Sequence, residues 1–266
     1  MTPICATCGA VFPATDAPPA GCPICEDERQ WVPEDGQQWT SVDALTAVHR
    51  NELREEEAGL LGIGIEPEFA IGQRALLVET PAGNILWDMV PLCTEAAVAE
   101  VEKRGGATAI AISHPHYYSG MLEWSRALGG IPILLHAADR EWVLRPDPAV
   151  EHWDGDAYEL PGGLTLLRLG GHFAGGTVLH WPAAAGGRGA LLSGDIVQVL
   201  AHRRSVTFMW SYPNMLPLPA REVERIVGAL EPWEFDRIWG AWWDRAIRAD
   251  AKAVLRESAA RYVRQW

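Results

Sequence analysis

The sequence predicts a mixed α/β chain: partly antiparallel sheets covered by helices, preceded by a small cysteine-rich module. Three observations carry that reading. Eight short apolar runs have the composition of strands, six stretches between and around them have that of helices, and four of the five cysteines fall in the first 25 residues as two matched pairs. Residues 1–40 are assigned to the module and 41–266 to the body, a length that suits one sizeable domain with an appendage.

The strand-like runs are RALLVET (74–80), GNILWDM (83–89), ATAIAIS (107–113), IPILLHA (131–137), LTLLRLG (164–170), TVLHW (177–181), GALLSGD (189–195) and DRIWGAW (236–242). Each is short, rich in branched or aromatic residues and bounded by Gly, Pro or polar residues. Helices are expected over 41–59, 94–104, 119–129, 137–145, 219–230 and 244–262. Gly83-Asn84 marks a hairpin, and Gly105-Gly106 ends a helix before the next strand. AAAGGRG (183–189) is expected as an exposed loop between two strands. MWSYPNMLPLP (209–219) is expected as a loop that lines a substrate mouth or covers a sheet edge. In the last helical stretch Ala246, Ile247, Val254, Leu255 and Tyr262 can face the body.

Composition sets limits on partners. With 22 Lys plus Arg against 35 Asp plus Glu, the formal charge is −13. That argues against gripping nucleic acid or an anionic membrane through bulk charge, and leaves a small-molecule substrate as the expected partner. No run approaches the roughly 20 apolar residues of a membrane span. The N-terminus lacks the charged start and apolar stretch of a secretory signal, so a cytoplasmic location is expected.

Cys5 and Cys8, then Cys22 and Cys25, form two C-x2-C knuckles thirteen residues apart. In a reducing compartment such thiols point to a tetrahedral metal site in place of disulfides. The stretch between the knuckles is too poor in apolar residues to build a core, so metal binding and folding of the module should be coupled. The segment resembles a zinc ribbon or a rubredoxin-like module. A rubredoxin-like knuckle normally has Gly after its last cysteine; Glu26 stands there, which favours zinc over an electron-transfer iron. Trp31 and Trp39 are expected to pin the module to the body.

ATAIAIS runs straight into His114-Pro115-His116. Residues i and i+2 of an extended segment face one side, so both imidazoles can meet one ion. GGHFAGGT places His172 in a glycine-rich turn after a strand, and LLSGD ends another strand at Asp195. Three imidazoles and a carboxylate at strand termini suit a borderline metal, with zinc favoured.

ILWDM, SHPHYYSG, GGHFAGGT, SGD and RIWGAW follow the motif order of the metallo-β-lactamase superfamily, which the chain resembles over about residues 58–245. The resemblance implies an αββα sandwich with its metal site at one edge of the two sheets. It matches His114, His116 and His172 to a three-histidine site, Asp195 to the carboxylate that usually bridges two metals, and Asp88 to an aspartate that supports the metal loops. The pattern H-x-H-x-D-H meets Tyr118 and Ser119 at its last two positions, and the final strand leads to Trp242 and Trp243 where the family has a histidine. Hydroxyls hold their protons at neutral pH and are poor zinc ligands. One metal is therefore expected here, held by the three histidines with Asp195 or water as fourth ligand.

The expected activity is that of a mononuclear zinc hydrolase attacking a small ester, thioester or lactone-like carbonyl with metal-bound hydroxide. Asp195 would bind the metal or accept the water's proton, and Tyr118 would stabilise a developing oxyanion or simply pack with Tyr117. Trp242 and Trp243 would wall a substrate pocket, and His202, seven residues beyond Asp195, could turn back into it. The alternative is a catalytically degenerate binding or scaffold protein that keeps one metal or none. A diiron redox role lacks the required carboxylate ligands and flavin domain. Cys93 is expected to be a buried small apolar residue. Exposed Trp-rich loops leave a homodimer open.

Overall fold

The structure, a computed structural model, describes residues 1–265. Two sheets carry the body. The first contains β1 (Arg50–Glu57), β2 (Leu60–Glu66), β3 (Ala75–Val78), β4 (Ile85–Trp87), β5 (Ala109–Ala111), β6 (Ile133–His136) and β7 (Val150–Trp153), paired in that order. Pairing is antiparallel from β1 to β4 and parallel from β4 to β7. The second contains β8 (Ala157–Glu159), β9 (Thr165–Arg168), β10 (Thr177–Trp181), β11 (Ala190–Gly194), β12 (Arg237–Gly240) and β13 (Ala246–Ile247), again in chain order. Only its β11–β12 contact is parallel.

The central strands are apolar on both faces because both faces are covered. Leu76, Ile85, Trp87, Ala109 and Ala111 of the first sheet meet Leu166, Leu179, Leu192 and Trp239 of the second in an inter-sheet core. The alternate residues Leu77, Leu86, Ile110 and Ile133 turn outward. There they pack under helices α1 (Glu95–Lys103) and α2 (Met121–Ala127) through Ala97, Val101, Leu122 and Trp124. Leu167, Val178, Leu191 and Ile238 turn to the other side, under α3 (Ala220–Leu230) and α4 (Ala251–Val263). Val223, Ile226 and Leu230 of α3 and Leu255, Ala259 and Tyr262 of α4 supply the facing stripes at helical spacing. The layers run helix, sheet, sheet, helix.

All eight expected runs are strands, and Gly83-Asn84 joins the antiparallel pair β3–β4. Four expectations need correction. The helix expected over 41–59 stops at Val48, and the charged remainder is the edge strand β1. Its sequence RNELREEE has no apolar stripe to mark it, and charge is a common device for protecting a sheet edge from further pairing. The stretch 244–262 opens with strand β13, so Ala246 and Ile247 belong to the sheet; α4 starts at Ala251, with Val254 only partly buried. The stretch 137–145 forms 3₁₀ turns over Ala137–Trp142, not an α-helix. The segment 209–219 forms a small hairpin of Met209–Ser211 with Leu216–Pro217. No helix among the described residues is long and apolar enough to cross a membrane.

The first 40 residues close on themselves, with Ile4–Cys5 pairing antiparallel to Trp39–Thr40. Trp39 packs edge-on against Phe12 inside the module, and Trp31 is 43% exposed, so neither is the main pin to the body. Ile4 and Val11 of the module are buried in the body's core, and Arg29 makes a second contact. Its guanidinium lies 3.8 Å from the Phe173 ring centroid, 4.6 Å from that of Trp210 and 5.1 Å from that of Trp142.

Candidate metal centres

Two groups of side chains among the described residues could hold an ion: Cys5, Cys8, Cys22 and Cys25, and His114, His116, His172 and Asp195. In the first, all four cysteines are buried and free. Cys5 Sγ lies 3.5 Å from Cys25 Sγ, and Cys8 Sγ lies 3.7 Å from Cys22 Sγ. Zn–S bonds of about 2.3 Å set tetrahedron edges of about 3.8 Å, so the spacing fits one ion. Gly9 has φ +78°, a conformation that closes the first knuckle at little cost.

The second group sits where β5, β9 and β11 end. His114 is extended, at φ −170° and ψ 170°, and caps a 3₁₀ turn over Pro115–Tyr117. The i, i+2 argument from an extended strand therefore does not describe His116, which lies inside that turn. The two imidazoles converge because they use different nitrogens. His116 Nδ1 lies 3.3 Å from His172 Nε2, and His114 Nε2 lies 3.6 Å from Asp195 Oδ2. One ligand atom from each of the four residues lies within 4.8 Å of all the others.

The remaining ring nitrogens are held from behind. Ser113 Oγ is 2.8 Å from His114 Nδ1, and His172 Nδ1 is 3.2 Å from the Met209 carbonyl oxygen, to which it can donate. These contacts leave Nε2 free as the ligand atom in both residues. Asp88, in the left-handed region at φ 57°, accepts the Ser113 backbone N–H at 2.8 Å and so anchors the loop that carries His114. Gly194 precedes Asp195 at φ +50°, and a Cβ there would stand 2.5 Å from Ser113 Oγ. The two metal-bearing loops touch at that glycine.

Burial decides the charge state. It drives the His114 and His172 imidazoles down to about 3 and holds His116 well below its ordinary value, so all three are neutral and ready to ligate. It raises Asp195 to about 6 and Asp88 to about 7. His114 Nε2 and Asp195 Oδ1 are buried without a hydrogen-bond partner. Buried unpaired polar atoms are costly unless something completes them, and an ion held by His114 Nε2 would complete that one. The residues present fit a metal.

The site opens into a cleft of about 200 Å³ walled by Gln30, Trp31, Ile71, Tyr212, Pro213 and Trp242 beside His116, His172 and Asp195. Trp242 therefore stands at the mouth, and its indole N–H donates to the Ile71 carbonyl. Tyr212 and Pro213 place the 209–219 hairpin there too.

Three expected positions are corrected. Trp243 lies over the backbone of β2, where Cβ atoms on Gly62 and Gly64 would meet its ring at 2.6 and 2.7 Å, and it is absent from the cleft wall. His202 is exposed in a turn, bonded to the Arg204 N–H and Ser205 Oγ, and does not fold back into the cleft. Tyr118 faces a small space against Val11 and Ile24 of the cysteine module. Its neighbour Tyr117 packs on the His114 ring at 4.4 Å, with its hydroxyl buried near Asp195 and unpartnered. The 3₁₀ turn decides which of two adjacent tyrosines meets the site. Sequence reasoning missed Arg29 and Gln30, which reach the site from the cysteine module; no local motif marks them.

The chain is 44% identical over 263 residues to the uncharacterized protein YmaE of Bacillus subtilis (strain 168), covering 98% of this chain and 95% of that protein. No family model matches. Among solved structures it is similar to the DIM-1 metallo-beta-lactamase, with TM-score 0.60 and 14% identity over 79% of this chain and 95% of that one. It is also similar to a metallo-beta-lactamase from Pontibacter korlensis, with TM-score 0.58 and 15% identity over 82% of this chain and 100% of that one. At such identities the likeness shows the fold, a metallo-β-lactamase αββα sandwich.

Proposed function

Because the chain belongs to the family of YmaE from Bacillus subtilis and has the metallo-β-lactamase fold, we propose that it is a metal-dependent hydrolase with one zinc in the three-histidine site and another in the four-cysteine site. The observation that carries this reading is the buried quartet His114, His116, His172 and Asp195, whose ligand atoms lie within 4.8 Å of one another. Its substrate would be a small ester, thioester or lactone-like molecule.

Zinc bound there would supply Lewis acidity and bring a water's pKa to near 7. The chain's own residues supply the rest. His114, His116 and His172 are kept neutral by burial, so they bind without competing protons. Asp195 keeps Oδ1 unpaired and can accept a proton at that atom, as a general base requires. Tyr117, with its phenol held protonated by burial near Asp195 and Asp88, is placed to orient Asp195 from behind and does not line the cleft, so the part the sequence suggested for Tyr118 does not pass to it. Trp242 and Ile71 give the cleft an apolar wall that suits an acyl chain or ring and sheds water from it. The charge of −13 and the lack of a Lys/Arg cluster support a small substrate over a nucleic acid.

The test is hydrolysis of a panel of small esters, thioesters and lactones by the zinc-loaded protein and by His116→Ala. Activity confined to the wild type supports the reading. Equal activity in both, or none in either with zinc present, removes it in favour of a binding protein on a degenerate site. That second reading draws on Tyr118 being turned away from the quartet.

A further inference from the structure

We propose that Gln30, carried in by the four-cysteine module, is a metal-facing residue of the three-histidine centre, so that the module completes that centre as well as folding beside it. The inference rests on zinc binding by the histidine quartet as read above.

Gln30 lies five residues after Cys25, in the tail that leaves the last knuckle. Its residue is 6% exposed. Its side-chain Nε2 lies 3.3 Å from His116 Nδ1, the same nitrogen that faces His172 Nε2 at 3.3 Å. Its Oε1 is buried and has no hydrogen-bond partner. An unpaired buried amide oxygen is destabilising, a penalty that a ligand in the site would relieve. A half-turn of the amide exchanges the two atoms. The oxygen can then face a cation, or the NH₂ group can donate to an anionic ligand beside it.

The tail is held so that this side chain has little choice of direction. Asn214 Nδ2 donates to the Glu28 and Gln30 carbonyls, each at 2.9 Å, and Ser211 Oγ donates to the Arg29 carbonyl at 3.1 Å. Arg29 is fixed by two bonds to Asp27, at 2.6 and 2.9 Å, and donates to the His172 carbonyl at 3.3 Å. The module's tail is thus bonded both to the 209–219 hairpin and to the loop that carries a proposed ligand. Polar groups around a metal's own ligands typically change its affinity by about 10- to 100-fold.

Zinc transfer from the full-length, zinc-loaded protein to a chromogenic chelator separates the possibilities. The histidine-site pool is identified as the one missing in His116→Ala. Gln30→Met keeps the length of the side chain and removes both polar atoms, and should weaken that pool about 10-fold. Gln30→Glu places an anion there and should tighten it, an effect that a packing role would not produce. The four-cysteine pool should be unchanged in both. Wild-type affinity of the histidine pool in both variants overturns the proposal, as does equal loosening of the two pools in Gln30→Met with no gain in Gln30→Glu. If the wild type has no histidine-site pool, the zinc reading itself has failed, and this inference goes with it.

Discussion

Gly194→Ala probes the contact between the two metal-bearing loops. The residue has φ +50°, and an alanine Cβ would stand 2.5 Å from Ser113 Oγ, 2.9 Å from Ser113 Cβ and 3.4 Å from Asp88 Oδ2. Left-handed backbone costs an L-residue about 1–2 kcal/mol, and overpacking a closed interior adds about 1–3 kcal/mol. The sum of about 2–5 kcal/mol corresponds to a fall in melting temperature of roughly 4–20 °C for a chain of this size. Ser113 cannot yield freely, because its N–H is bonded to Asp88 and its Oγ faces His114 Nδ1. Displacing it turns the His114 ring, so zinc affinity at the histidine site should fall at least about 10-fold. Calorimetry and chelator competition on Gly194→Ala, Ser113→Ala and the double variant form a cycle. Removing Oγ should restore part of the lost stability in the double variant while zinc binding stays weak. A Gly194→Ala protein with wild-type melting temperature and zinc affinity would refute the account of how the loops are locked together.

Three further outcomes follow from the structure. Burial raises the Asp139 carboxyl from its ordinary 3.8 to about 6, so the folded state holds this proton more tightly than the unfolded state does. That contribution to stability is complete below the unfolded value and is lost as pH rises through 6. Asp139→Asn keeps an acceptor for the Gly175 N–H and should gain on the wild type by about 2 kcal/mol between pH 4.5 and pH 8 in urea titrations; a constant difference contradicts this. His202→Ala, at an exposed turn, should leave hydrolysis within about twofold and stability within about 0.5 kcal/mol. A larger loss of activity would return His202 to the site. Cys93, pushed up to about 12 by burial, should be alkylated at pH 8 at least about 100-fold more slowly than a free thiol, read by mass spectrometry.

The sequence made legible what local pattern controls. Runs such as ATAIAIS and GALLSGD are apolar on both faces because both sheets are covered, and this continuous apolarity marked them as strands. Strand β1 was hidden because an edge strand of alternating charge offers no apolar signal. Strand β2 was hidden because Gly62 and Gly64 weaken its pattern, and the reason for those glycines, the Trp243 ring across them, lies about 180 residues away. His114, His172 and Asp195 were readable because each follows a strand end or enters a glycine turn, whereas His116 was found through the H-x-H spacing although it sits in a 3₁₀ turn. The tyrosines were not, since a single 3₁₀ turn after His114 decides that Tyr117 meets the site and Tyr118 the cysteine module. Gln30 could not be read at all: its contact with His116 spans 86 positions and depends on how the module docks.

The most direct test of the central claim is the zinc content per chain of the purified full-length protein and of His116→Ala. One ion in the four-cysteine site and one in the histidine site give two in the wild type and one in the variant. Three in the wild type would mean a dinuclear histidine centre. One in both would leave metal only in the cysteine module and contradict the account.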